Sequence, residues 1–212
     1  MECDYILKLI LVGDSKVGKS TFFNKITNKE YKEYKTTIGL DFKSFIRMHD
    51  NKILKINLWD TAGQERFRCI IKRYFENICG IILIFDLNNV DTFNSLEEWI
   101  FDLIRYNKCE HNHPKILIGN KNDLECKVEG KRINLLVEKY NLIYVETSII
   151  NNEMYNILNM LIDNIDSEII KPSILCKGCM SNFDNNLIHN KVIKEINDKN
   201  ETKKVNKCCK IS

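Results

Sequence analysis

The segment Gly13-Asp14-Ser15-Lys16-Val17-Gly18-Lys19-Ser20 fits the pattern G-x-x-x-x-G-K-[ST], in which each residue type has a physical task. The glycines let the backbone N–H groups of Asp14, Ser15, Lys16, Val17 and Gly18 curl around phosphates. The N-terminus of the helix that follows favours their negative charge, and Lys19 reaches the β/γ-phosphates. The Ser20 hydroxyl, followed by Thr21, is of the type that ligates Mg²⁺ beside a phosphate. A chance glycine-rich turn is the bland alternative, and the flanking pattern speaks against it: the motif lies between an apolar strand run and a helical one. Alone it specifies a nucleoside triphosphate and says nothing of the base.

Three further segments occur at the ends of strand-like runs. They are Trp59-Asp60-Thr61-Ala62-Gly63-Gln64-Glu65, Asn120-Lys121-Asn122-Asp123 and Glu146-Thr147-Ser148. Each alone could be an ordinary turn after a strand. Together with the phosphate loop they make four separated segments at the carboxyl edge of one sheet, where open α/β sheets bind ligands.

The elements that must hold them are readable from periodicity. Tyr5 to Val12, Gly80 to Leu87, Lys115 to Asn120 and Ile143 to Val145 are short apolar or β-rich runs, and a helix is expected from about Gly18 to Thr27. Asp41 to Met48 and Lys52 to Trp59 alternate apolar with polar around the turn pair Asp50-Asn51, which predicts a hairpin and one antiparallel strand. Met154, Ile157, Leu158, Leu161, Ile162, Ile165 and Ile169 recur at helical spacing and predict a long amphipathic helix. The fold class is therefore α/β: a six-stranded, mostly parallel sheet with one antiparallel strand and helices on both faces.

At these residues the chain resembles the Ras-like small GTPases, with the P-loop NTPase fold. Within them it is similar to the Rab branch through Ile38-Gly39-Leu40-Asp41-Phe42, the run Trp59 to Arg68 and the pair Cys208-Cys209. The resemblance covers about residues 5 to 170 and the tail tip. It implies that Asp123 reads guanine by accepting from its N1–H and exocyclic amine, a pairing adenine cannot make. Asn120 and the Lys121 stem brace that loop, and Ser148 with the Ile149 N–H completes the base site. It implies GTP/GDP and Mg²⁺ as cofactors, the ion held by Ser20, by Thr37 of the first switch segment, and by Asp60 through water. The Gly63 N–H would bond the γ-phosphate, and the loss of that phosphate would release both loops. Gln64 would orient the attacking water while Lys19 neutralises charge on the transferring phosphoryl; no arginine finger is evident in cis, so slow hydrolysis is implied.

The resemblance also implies an effector surface of Ile38, Gly39, Phe42, Trp59, Phe67 and Tyr74, although aromatics are commonly just core. The implied partners are an exchange factor, a GTPase-activating protein, a GDP-dissociation inhibitor, a prenylation escort protein and effectors in vesicle traffic. A monomer that binds no nucleic acid is expected. The chain departs from the family pattern at several places. Tyr31 is six residues before Thr37 where seven is usual, so Tyr31 or Tyr34 is the candidate base-contacting aromatic. Ile149-Ile150 stands for Ala-Lys, Lys16 for a small residue, and Tyr74-Phe75-Glu76-Asn77 for a tyrosine-arginine-glycine run. Two rival readings are a nucleotide-locked guanine-binding module and a P-loop kinase or ATPase. Gln64 and Thr37 speak against the first, the Asn120 and Glu146 segments against the second.

Composition bounds the rest. The chain has 212 residues, 44% hydrophobic and 29% charged, which excludes a wholly disordered or fibrous chain. The longest apolar run, Ile81 to Phe85, is far short of the ~20 residues that cross a bilayer. The start lacks the regions of a secretory signal and Glu2 excludes N-myristoylation, so a cytosolic chain is expected and most of its nine cysteines are expected as free thiols. Pro172 marks a change in composition, dividing a GTPase domain at 1–170 from a tail at 171–212. The tail has nine lysines against four acids, a net +5 in a chain of net +3, which leaves −2 for residues 1–170.

Cys208 and Cys209 resemble doubly prenylated Rab endings, supported by Lys203, Lys204, Lys207 and Lys210. They would hold the chain on the cytoplasmic face of intracellular membranes through a flexible tether. Cys176 and Cys179 have metal-knuckle spacing without a second pair; acylation or an inert linker is equally open. His111 and His113 are expected as solvated loop residues.

Overall fold

A computed structural model describes residues 3–27, 40–63, 74–76, 78–106, 113–148 and 154–169. The strands are β1 (Tyr5–Val12), β2 (Leu40–His49), β3 (Lys52–Thr61), β4 (Gly80–Asp86), β5 (Lys115–Asn120) and β6 (Ile143–Thr147). The helices are α1 (Lys19–Ile26), α2 (Val90–Asn94), α3 (Leu96–Tyr106), α4 (Gly130–Tyr140) and α5 (Met154–Ile169). One sheet runs in the order β2-β3-β1-β4-β5-β6. Among the described residues only the β2–β3 pair is antiparallel; β1 pairs in parallel with β3 and β4, and β4, β5 and β6 follow in parallel.

The apolar runs become the central strands because both of their faces are covered. In β1, Leu7, Leu9 and Leu11 point to a core completed by Phe22 and Phe23 of α1 and by Ile157, Leu158, Leu161, Ile162 and Ile165 of α5. Ile10 and Val12 point the other way, to Phe93 of α2, Trp99, Ile100 and Leu103 of α3, and Ile133 and Leu136 of α4. Every residue of β4 is buried. The expected α/β sheet with helices on both faces is what forms.

The hairpin turn is held by positive φ at Asp50 (45°) and Asn51 (62°), the pattern of a type I′ turn, whose twist matches the flanking strands. Arg47 and His49 of β2 reach α5: the Arg47 guanidinium donates to Asn159 Oδ1 and His49 Nε2 lies 2.8 Å from Asp163 Oδ1. His113, expected in solvent, is buried instead, because it leads directly into β5. There Pro114 accepts from the Ile81 N–H of β4 at 3.1 Å and the His113 carbonyl accepts from Lys115 Nζ at the same distance. Among the described residues no helix is long and apolar enough to cross a membrane, and Cys3, Cys79 and Cys126 are free thiols. The expected boundary near residue 170, the tail, and His111 lie outside the described residues.

Candidate functional site

The chain order sends β3 to one side of β1 and β4 to the other. That opens a crevice at the carboxyl end of β1, the switch point where doubly wound sheets bind ligands. The loop that leaves β1 there is turned by Gly13 at φ 138° and Gly18 at φ 110°. A Cβ at Gly13 would overlap the Ile84 carbonyl of β4, so only glycine lets the loop pass over the sheet. Lys16 also adopts a left-handed conformation, φ 64°, with an exposed side chain. Gly18 is the N-cap of α1 and has no side chain to cap it; its carbonyl accepts from the Phe22 N–H at 2.9 Å. The first N–H groups of α1 therefore face the crevice mouth, suited to an anion.

Lys19 is only 5% exposed and donates from Nζ to the Asp14 carbonyl at 2.6 Å. Burial pushes its pKa down to about 8, opposed by the charges of Asp60 and Asp14. Gly63 lies against both: a Cβ there would overlap the Asp14 carbonyl and the Lys19 ammonium. Ser20 Oγ donates to Asp60 Oδ2 at 2.5 Å, and Asp60 is buried at the end of β3. A hydroxyl and a carboxylate in contact beside a phosphate cradle are the hard oxygen donors Mg²⁺ takes alongside phosphate and water, so these residues fit that ion. Thr61 supports the turn by donating from Oγ1 to the Leu11 carbonyl at 2.7 Å.

The base segments join the same crevice. Asn120, buried at the end of β5, donates from Nδ2 to the Val17 carbonyl at 2.6 Å, bracing the phosphate loop against the next loop. Lys121 has φ 67° and pairs through Nζ with Asp86 Oδ2 at 2.5 Å. The Leu124 N–H closes a turn on the Lys121 carbonyl at 3.0 Å, leaving Asp123 exposed within it, and the Asn122 N–H donates to the Thr147 carbonyl at 3.3 Å. Ser148 follows, buried. Asp14, Ser15, Lys16, Val17, Gly18, Lys19, Ser20, Thr21, Asp60, Gly63, Asn120, Lys121, Asp123 and Ser148 thus gather along the carboxyl ends of β1, β3, β5 and β6.

Away from the crevice, Phe42 and Trp59 have ring centroids 4.5 Å apart and Trp59 and Tyr74 5.3 Å, which makes one continuous aromatic surface. Lys8 Nζ lies 5.5 Å over the Trp59 ring and donates to the Glu76 carbonyl at 2.7 Å. Thr37, Ile38, Gly39, Gln64, Phe67, Ile149, Cys208 and Cys209 lie outside the described residues, as do Tyr31, Tyr34, Cys176 and Cys179. Sequence reasoning missed Asp86, the partner of Lys121, and two residues bound to Asp14, Ser95 and Trp99. Their signal is a strand-ending acid and a hydroxyl–indole pair four residues apart, neither of them a motif.

A family model described as Ras family matches residues 8–167. The chain is 39% identical over 150 residues to the Ras-related protein RABD2b of Arabidopsis thaliana, covering 69% of this chain and 73% of that protein. It is 39% identical over 153 residues to RABD1 of the same plant, covering 69% and 72%. Over 150 residues it is 39% identical to the Ras-related protein Rab-1D of Dictyostelium discoideum, covering 69% and 72%.

Proposed function

The chain belongs to the Ras family of small GTPases, in its Rab branch, and from that premise we propose that it is a GDP/GTP switch that recruits effectors in vesicle traffic. The observation that carries this reading is the convergence of Lys19, the Ser20–Asp60 pair and the Asn120 brace on one loop.

The phosphate-loop N–H groups and the start of α1 bind the polyphosphate, and Lys19, seated on the Asp14 carbonyl by one N–H, turns its other donors to the β/γ-phosphates. Ser20 and Thr37, with Asp60 through water, would hold Mg²⁺, which when bound neutralises phosphate charge. Asp123 selects guanine, because a site built to hydrogen-bond one base is left unpaired by another. Ser148 and the Ile149 N–H close over the base. Gln64 positions the attacking water, and the Gly63 N–H together with Thr37 senses the γ-phosphate. Without a cationic finger, turnover is slow, on the order of 10⁻⁴ s⁻¹ on the scale of Ras, until an activating protein raises it about 10⁵-fold. Exchange factor, GDP-dissociation inhibitor and escort protein complete the cycle. Effectors dock on the Phe42–Trp59–Tyr74 surface with Ile38, Gly39 and Phe67. Prenylation of Cys208 and Cys209, on a tail of residues 171–212, anchors an otherwise cytosolic monomer to the cytoplasmic face of an intracellular membrane.

The test is to purify the full chain untagged, denature it and identify the released nucleotide by ion-exchange chromatography, with Asp123→Asn in parallel. Near-stoichiometric GDP or GTP in the wild type, lost in the variant, is expected. An empty or adenine-loaded wild type overturns the reading.

A further inference from the structure

Asp14 has two ends with different partners. Its carbonyl accepts from Lys19 Nζ and lies where Gly63 approaches. Its carboxylate is held by helix α3 and the residue before it: Oδ1 accepts from Trp99 Nε1 at 2.8 Å and Oδ2 from Ser95 Oγ at 2.6 Å. Ser95 and Trp99 are four residues apart, so they present their donors from one helix face. The register is fixed by the Trp99 N–H donating to the Ser95 carbonyl at 3.2 Å. Trp99 is fully buried, so its indole N–H is a rigid donor with one orientation. Hydrogen bonds to an ionised acceptor are among the stronger ones.

A carboxylate in a phosphate loop is an electrostatic liability, since it carries the same sign as the ligand. We propose that Ser95 and Trp99 are positioning residues of the nucleotide site. They hold the Asp14 carboxylate on α3, away from the bound phosphates, and so fix the carbonyl that seats Lys19. The inference rests on the guanine-nucleotide reading above, and it assigns to α3 a part in nucleotide retention. Removing either donor frees a negative charge beside the polyphosphate and loosens the loop that binds it.

The experiment uses the full 212-residue chain loaded with a fluorescent GDP analogue, and follows dissociation against excess unlabelled GDP. Trp99→Phe keeps an aromatic ring and deletes the N–H; Ser95→Ala is the milder change at a less buried position. Each is expected to speed release about tenfold, the scale of one lost charge-assisted hydrogen bond. Neither is expected to speed it further when combined with Asp14→Ala, because the charge they restrain is gone. Loss of packing alone would leave the acceleration intact in the Asp14→Ala background, and that result overturns the proposal, as does wild-type release in both single variants. A wild type that retains no guanine nucleotide overturns the underlying reading instead and takes the proposal with it.

Discussion

Individual residues divide by how far apart their partners lie in the chain. The turn at residues 13–20 is legible because its pattern lies within eight consecutive residues, and Gly13 and Gly18 take the positive φ that the loop demands. The Asp14 carboxylate was not, because its partners are 81 and 85 positions away and nothing local marks Ser95 or Trp99 as belonging to it. Gly63 stands between these cases: the sequence singles it out, and only the geometry shows why no side chain fits. A methyl group there meets the Asp14 carbonyl and the Lys19 ammonium, so the backbone of residue 63 must retreat from the loop. Gly63→Ala is therefore expected to weaken the triphosphate more than the diphosphate, because in the proposed switch only the former uses the Gly63 N–H. Titration calorimetry with GDP and with a non-hydrolysable GTP analogue checks this. Equal loss for both nucleotides would mean that the methyl disturbs the loop and not γ-phosphate sensing.

At the scale of elements, periodicity read well where one physical demand dominated. The bounds of β1 and β5 match the sequence expectation, since a parallel strand covered on both faces is a continuous apolar run. β6 extends two residues further than expected, to Thr147, because Glu146 and Thr147 are polar yet remain paired with Gly119 and Asn120 of β5. Lys115 opens β5 and is a polar exception of another kind: it is buried, and burial lowers its pKa from the usual 10.5. The unfolded chain thus binds the Lys115 proton more tightly than the folded one. Stability should rise as pH climbs from the lowered folded value through 10.5, where the cost of burying the cation disappears. Lys115→Met removes that cost at all pH values. The variant is expected to be more stable than wild type at pH 7 by about 1 kcal/mol, with the difference shrinking by pH 10. Thermal unfolding of both proteins at the two pH values measures it. A difference that stays constant with pH would assign the gain to packing and not to the buried charge.

For the whole molecule, the proposed lipid anchor and the charge of the chain act over different lengths. Residues 1–170 carry −2 and residues 171–212 carry +5, so the net charge that an anionic membrane attracts resides in the C-terminal segment. The four lysines around Cys208 and Cys209 would each supply roughly 1 kcal/mol near an anionic leaflet, a contribution screened within a Debye length, about 8 Å at physiological salt. Prenyl chains are not screened, and one chain gives marginal anchoring where two give a stable one. Salt therefore separates the two terms. In fractionated eukaryotic cells the wild type should remain on membranes at both 0.15 M and roughly 1 M KCl, a salt level that shrinks the Debye length to about 3 Å. Cys208→Ser or Cys209→Ser should stay bound at the lower salt and leave at the higher, when the lysines no longer help the remaining chain. The double variant should be soluble at both. A double variant that stays on membranes at high salt would remove prenylation at these cysteines from the account and place the anchor elsewhere, with Cys176 and Cys179 the next thiols to replace. A single variant as salt-resistant as wild type would show that one chain suffices, and that the tail charge guides the protein to the membrane more than it holds it there.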